Sequence, residues 1–214
     1  MKHSQESLFK NSLKNISQCE ASIKRNIENE SFEKQFLWLS TRRFISHAQS
    51  IIYLCNKKQN LEALMLLRPI IELVVNLRWV IDDNTGNNRK QFMESTEYTF
   101  NSSGIPKMGN YWTEKSLKDR MTAIGFAENY YETVVKKLHE EIHVNPAVIA
   151  RAHSKNLTSM NREALFSVAC QWAGDLLAMA NKLYPKECLM NHKDVWSKIK
   201  VNSPTMAGKD RQRI

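Results

Sequence analysis

Arg68, Glu72 and Asn76 recur every four residues inside the run from Leu61 to Ile81, where 15 of 21 residues are apolar. At about 100° per residue they fall with Trp79 on one stripe roughly 80° wide. An arginine and a carboxylate one turn apart can steady a developing negative charge, hold an anion, or simply pair with each other. Apolar neighbours on both sides predict burial, and an unpaired ion is costly there, so the stripe must face a partner, a cleft or water. A buried pair stabilises little compared with apolar replacements, which makes function one reason to keep it and packing specificity the other.

A second group lies in Lys136-Lys137-Leu138-His139-Glu140-Glu141-Ile142-His143-Val144-Asn145-Pro146. His139 and His143 stand one turn apart, while Glu140 and Glu141 point about 100° and 200° away from His139. The HxxxH spacing lacks an obvious third ligand, so neither a metal nor another cofactor is expected. Histidines beside Asn145 at a helix end suit proton transfer or phosphate contact, with Lys137 as a neighbouring cation; the structural alternative is a capping or surface histidine. Arg42 and His47, in Arg42-Arg43-Phe44-Ile45-Ser46-His47, form a third candidate for phosphate contact. Equally, Arg43 and His47 at i and i+4 line a solvated helix face. No glycine-rich phosphate loop, GxSxG elbow or DxDxDG calcium loop is present.

The formal charge of +9 favours an anionic partner, RNA or DNA before acidic protein or lipid. From Lys186 to Ile214 seven Lys/Arg stand against three Asp/Glu, so the excess is concentrated at the carboxyl end. The Leu61 to Ile81 run approaches the length of a membrane span, but Glu62, Arg68, Glu72 and Arg78 make insertion costly. No apolar leader follows Met1. The expectation is a soluble, cytosolic chain without membrane contact. Cys19, Cys55, Cys170 and Cys188 are isolated in sequence, which predicts small buried apolar residues in a reducing compartment rather than a zinc site or a disulfide framework.

The elements that must position these groups are helices. Glycine is scarce, and segments of 15 to 27 residues between breakers carry helix-forming residues with no βαβ alternation. Phe9, Leu13, Ile16, Ile23 and Ile27 predict an amphipathic helix over 6–28, and Ser31 should cap the next, which runs to Asn56. The central helix follows over 61–81, either kinked at Pro69 or restarted there. Asp82 to Asn88 ends it, a weaker helix covers 87–101, and 102–110 is expected to be a flexible loop. Shorter helices are predicted over 113–124, closed by Gly125, and over 127–143, stopped by Asn145-Pro146. A core helix capped by Ser159 places Leu165, Ala169, Trp172, Leu176, Ala180 and Leu183 on one face before Pro185. The expected whole is an all-α, single-domain bundle of about six to eight helices over 1–200, with a basic, disordered tail over 201–214.

Leu67-Arg68-Pro69-Ile70-Ile71-Glu72-Leu73, its apolar continuation to Trp79, and Leu138-His139-Glu140-Glu141-Ile142-His143 together resemble an uncharacterised bacterial helical family of unknown function, with an LRxxxE helix followed by an LSxxVH segment. The resemblance spans about residues 30 to 185. The chain departs from it at His139, where the family tends to have serine, and at Val135, where tyrosine is common. The family is similar in helical layout to the HEPN superfamily, many of whose members are dimeric, metal-independent ribonucleases of toxin–antitoxin and phage-defence systems, with an RxxxxH signature that Arg42 and His47 match in spacing. The resemblance implies that His143 moves a proton, Arg68 stabilises the phosphorane charge and Glu72 orients either of them. Asn76, His139, Asn145, Lys137, Arg42 and His47 would then contact RNA. A homodimer is implied, with an antitoxin or sensor protein as a further partner. The strict RxxxxH pattern is missing at His143, because Lys137 stands six residues before it. The competing expectation is a non-enzymatic helical module, binding protein or nucleic acid, whose stripe is a buried specificity network.

Overall fold

Every fourth or third residue of the amino-terminal segment is apolar, and the chain coils accordingly. In the computed structural model, which describes residues 4–94, 115–138 and 162–185, α1 spans Gln5–Ile23 and buries Phe9, Leu13, Ile16, Cys19 and Ile23. Ser4 caps it by accepting from the Ser7 backbone N–H at 3.2 Å. A 3-10 segment, Lys24–Asn29, carries the chain on to α2 (Phe32–Asn56), so the predicted first helix tightens over its last turn and a half. Ser31 stands at the N-cap of α2, but its side chain makes no capping bond.

The 61–81 run is two helices, not one. α3 (Asn60–Met65) ends before Leu66, and α4 (Leu67–Ile81) restarts with Pro69 in its first turn. First-turn N–H groups have no intrahelical acceptor, so proline loses no backbone bond there, whereas an interior proline would strand a carbonyl. α4 is the hub, touching α2, α3, α5 (Asn87–Glu94), α6 (Leu117–Ala123) and α8 (Arg162–Leu183). Leu67, Ile70, Ile71, Val74, Val75 and Leu77 are fully buried on it. Each such side chain contributes about 1.5–3 kcal/mol through burial.

α8 lies along α1 over most of its length. Their amino ends are pinned by Arg162, which grips Glu6 at 2.8 Å and caps the end of α2 by donating to the Cys55 carbonyl at 2.7 Å. α7 (Glu128–Tyr130) continues into a π-helical turn, Tyr131–Val135, where the sequence predicts plain α-helix. The architecture is all-α, with one hydrophobic core and no strand among the described residues. Among those residues no helix is long and apolar enough to cross a membrane. Cys55 and Cys170 are buried free thiols, and burial pushes Cys170 up to about 12. Cys19, expected to be reduced, is instead disulfide-bonded. Pairing requires Cα atoms roughly 4.4–6.8 Å apart, a distance that sequence spacing does not reveal.

Candidate functional site

α4 turns its polar stripe toward α6. Arg68 Nε donates to Glu72 Oε1 at 3.0 Å, with the two side chains 28% and 41% exposed. The pair is therefore half-open, which corrects the expectation of burial between apolar neighbours: those neighbours face α2 and α8, and α6 reaches the stripe one turn further on, at Asn76.

The residue that α6 contributes is Arg120. Ser116 opens α6 with a capping box, its hydroxyl accepting from the Asp119 N–H at 3.1 Å while the Asp119 carboxylate accepts from the Ser116 N–H at 3.2 Å. Gly125, at φ +93°, turns the chain out of the helix end, and Leu117 and Met121 anchor α6 in the core. With that face buried, Arg120 Nη1 donates to Asn76 Oδ1 on α4. Burial pushes the Arg120 guanidinium down in pKa, and the Glu72 carboxylate pushes it back up. Glu72 thus sits within electrostatic reach of two arginines on two helices. The stripe ends at Trp79, which is 8% exposed; Lys115 lies 5.0 Å from its ring centroid, and its indole N–H is buried without an acceptor among the described residues.

A second polar centre occupies another side of α4. Arg78 donates through Nη2 to the Ile124 carbonyl at 2.9 Å and through Nε to Asp82 at 3.4 Å, and its Nη1 stands 3.6 Å from Asp175 of α8. The guanidinium lies 5.6 Å over Phe126, which stacks on Trp172 at 5.0 Å. Asp175 is buried, and desolvation lifts its carboxyl to about 6 despite the opposing pull of Arg78. Arg78 thereby ties α4 to α8 and to the end of α6.

Arg42 and His47 lie on α2, apart from the stripe. Arg42 is exposed on α2, 4.9 Å over the Trp38 ring and 3.9 Å from Glu20. His47, half-buried on the same helix, has its pKa lowered first by burial and then by the Arg43 charge, which favours the neutral imidazole. No hydrogen bond or ion pair among the described residues joins Arg42 or His47 to the stripe. Lys137 is exposed. His139, His143 and Asn145 lie outside the described residues, as does the 201–214 tail.

Sequence reasoning missed Arg120, Arg78 and Asp175. Asp175 is the sole charge between Glu163 and Lys182, the same signal that drew attention to Arg68, and it marks a buried ion in a core helix. Nothing in the pattern around Arg120 announces its reach to α4. Phe32 and Phe36 pack with Phe92 at centroid distances from 4.5 Å to 6.1 Å, and Trp172 is fully buried, so these aromatics are packing residues.

No curated protein and no solved structure matches the chain. The resemblance to an uncharacterised helical family holds over a shorter stretch than the expected 30 to 185: residues 36–98, from the second turn of α2 past the end of α5 and including Arg68, Glu72, Asn76 and Arg78, match the model of a family of unknown function (DUF5677).

Proposed function

We propose that the protein is an RNA-directed, metal-independent endonuclease, HEPN-like in design, that serves as the effector of a bacterial toxin or phage-defence system. One observation carries the reading: Arg68 and Arg120, from separate helices, flank Glu72 on a half-open face. Fixed guanidinium groups are suited to a phosphorane because their charge and fork of donors need little reorganisation when negative charge develops. The net charge of +9 supports a polyanionic substrate, RNA before DNA. In this reading His143 carries the proton to or from the reacting oxygens, Arg68 stabilises the equatorial charge, and Glu72 holds Arg68 in orientation. The enzyme acts as a homodimer, with an antitoxin or sensor protein as a further partner.

The test is direct. Purified protein is incubated with RNA in the presence of a chelator, beside His143→Ala and Arg68→Ala variants. Cleavage by the parent and its loss, by 100-fold or more, in His143→Ala is the expected result; cleavage unchanged in both variants sinks the assignment.

A second reading is favoured by the closure of the network on itself, since Glu72 already satisfies Arg68 and Asn76 already satisfies Arg120. The protein is then a non-enzymatic binding module for protein or nucleic acid, and the stripe fixes how α6 docks on α4. A parent protein that binds RNA without cutting it selects this reading.

A further inference from the structure

The stripe and α6 form one continuous edge. From Arg68 to Asn76 the helix rises about 12 Å at 1.5 Å per residue, and Arg120 meets α4 at the far end of that interval. A single phosphate is too small to touch both ends. Beyond Asn76 the edge continues to Trp79 with Lys115 on its ring. Arg68, Arg120 and Lys115 are distributed along it, with the Glu72 carboxylate paired to Arg68 and within electrostatic reach of Arg120, and Asp119 beside them is committed to the capping box with Ser116.

We propose that this α4–α6 edge is a track for the backbone of single-stranded RNA, in which Arg68 and Arg120 hold successive phosphates and Asn76 positions Arg120 for the second. The proposal rests on the nucleic-acid reading above but not on cleavage. Glu72 holds the Arg68 guanidinium and Asn76 holds that of Arg120, which lowers the entropy lost when they take up phosphate. Arg120 reaches its place only because Leu117 and Met121 fix α6 in the core. Recognition here is of charge and spacing rather than of base identity, because phosphate contacts carry no sequence information.

The experiment measures binding of a labelled 12-nucleotide single-stranded RNA of mixed sequence by fluorescence anisotropy over a series of salt concentrations. The parent, Arg120→Ala, Arg120→Lys, Arg68→Ala and Asn76→Ala are compared with Lys10→Ala, which removes one charge from α1 on the far side of the sequence. Each alanine variant of an arginine is expected to bind five- to tenfold more weakly and to lose about 0.7 from the logarithmic salt slope, the value of one phosphate on a single strand. Arg120→Lys keeps the slope and loses part of the affinity, because lysine supplies the charge without the fork. Asn76→Ala weakens binding with the slope retained, as a positioning residue should. Lys10→Ala leaves both unchanged.

If Arg120→Ala loses its fold, as judged by circular dichroism, the Arg120→Lys result and the shift of the Arg120 Nε–Hε resonance on adding RNA to the parent decide the matter. A folded Arg120→Ala with parental slope overturns the track while leaving the nucleic-acid reading intact. Absence of RNA binding by the parent overturns both. Displacement of the RNA by inorganic phosphate at equal phosphate concentration reveals a single anion site and also overturns the track.

Discussion

Arg68 and Arg78 stand ten residues apart on one helix, each with a carboxylate four residues later, and they do opposite work. Arg68 is 28% exposed and meets one carboxylate, itself 41% exposed. Arg78 is 11% exposed and meets two carboxylates, a backbone carbonyl and an aromatic face, supplied by α4, α8 and the end of α6. The local sequence pattern, arginine followed by an acid at i+4, is identical in kind. The difference is what packs over it: α8 and Phe126 close over Arg78, whereas α6 reaches only the end of the Arg68 stripe. A closed guanidinium is committed to the fold, and an open one remains available to a ligand.

The comparison breaks first at Arg78. Arg78→Ala leaves Asp175 buried without its counter-charge, and removal of one member of such a pair costs about 3–5 kcal/mol, so chemical denaturation should show a severely destabilised or unfolded protein. Replacing both, as in Arg78→Met with Asp175→Leu, should recover much of that loss, since apolar residues of similar volume substitute well for a buried ion pair. Failure of Arg78→Ala to destabilise would place Arg78 with Arg68 as an open, ligand-facing group.

Acidity sharpens it next. Asp175 has a folded-state pKa of about 6, above the ordinary 3.8, so the folded protein binds this proton more tightly than the unfolded chain does. That contribution to stability is complete below about pH 4 and is lost as the pH rises through 6. Between pH 7 and pH 5 it should add about 1 kcal/mol to the free energy of unfolding, and the increment should vanish in Asp175→Asn. Urea titrations at the two pH values, parent against variant, supply the measurement, and an equal increment in both proteins would place the titration elsewhere.

The smallest effect is expected at Arg68. A half-open pair at i and i+4 contributes about 0.3–0.5 kcal/mol, and the order arginine before glutamate is the less favourable one for the helix dipole. Arg68→Ala should therefore shift stability by less than 1 kcal/mol in the same denaturation assay, while reducing RNA binding. A loss of 2 kcal/mol or more would mean that the stripe is a structural network after all.

Much of the helical layout was legible in the residues. The apolar periods of α1, α2 and α8 predict their buried faces, and Asp82 to Asn88 ends α4 as its turn formers require. The restart at Leu67 was one of two outcomes that Pro69 allows, and only the surrounding packing chose it. Of the candidate site, Arg68, Glu72 and Asn76 do share an edge as their spacing demands. The prediction that they are buried failed because a helix wheel shows which residues share a face and not how far the neighbouring helix covers it.

The amino-acid sequence alone determined that the chain is helical, strongly basic and built around an apolar run with misplaced charges. These properties follow from local periodicity and composition, which are carried within a few turns of chain. Tertiary structure decided that Arg78 is sealed against Asp175, nearly a hundred residues away, and that Arg120 crosses from α6 to complete the stripe. It also decided that Cys19 is oxidised where isolated spacing suggested a free thiol. Each of these depends on which surfaces meet and how completely they exclude water. That is a property of packed helices rather than of any one of them, so two arginines with the same local pattern could not be told apart until the fold had closed over one and left the other open.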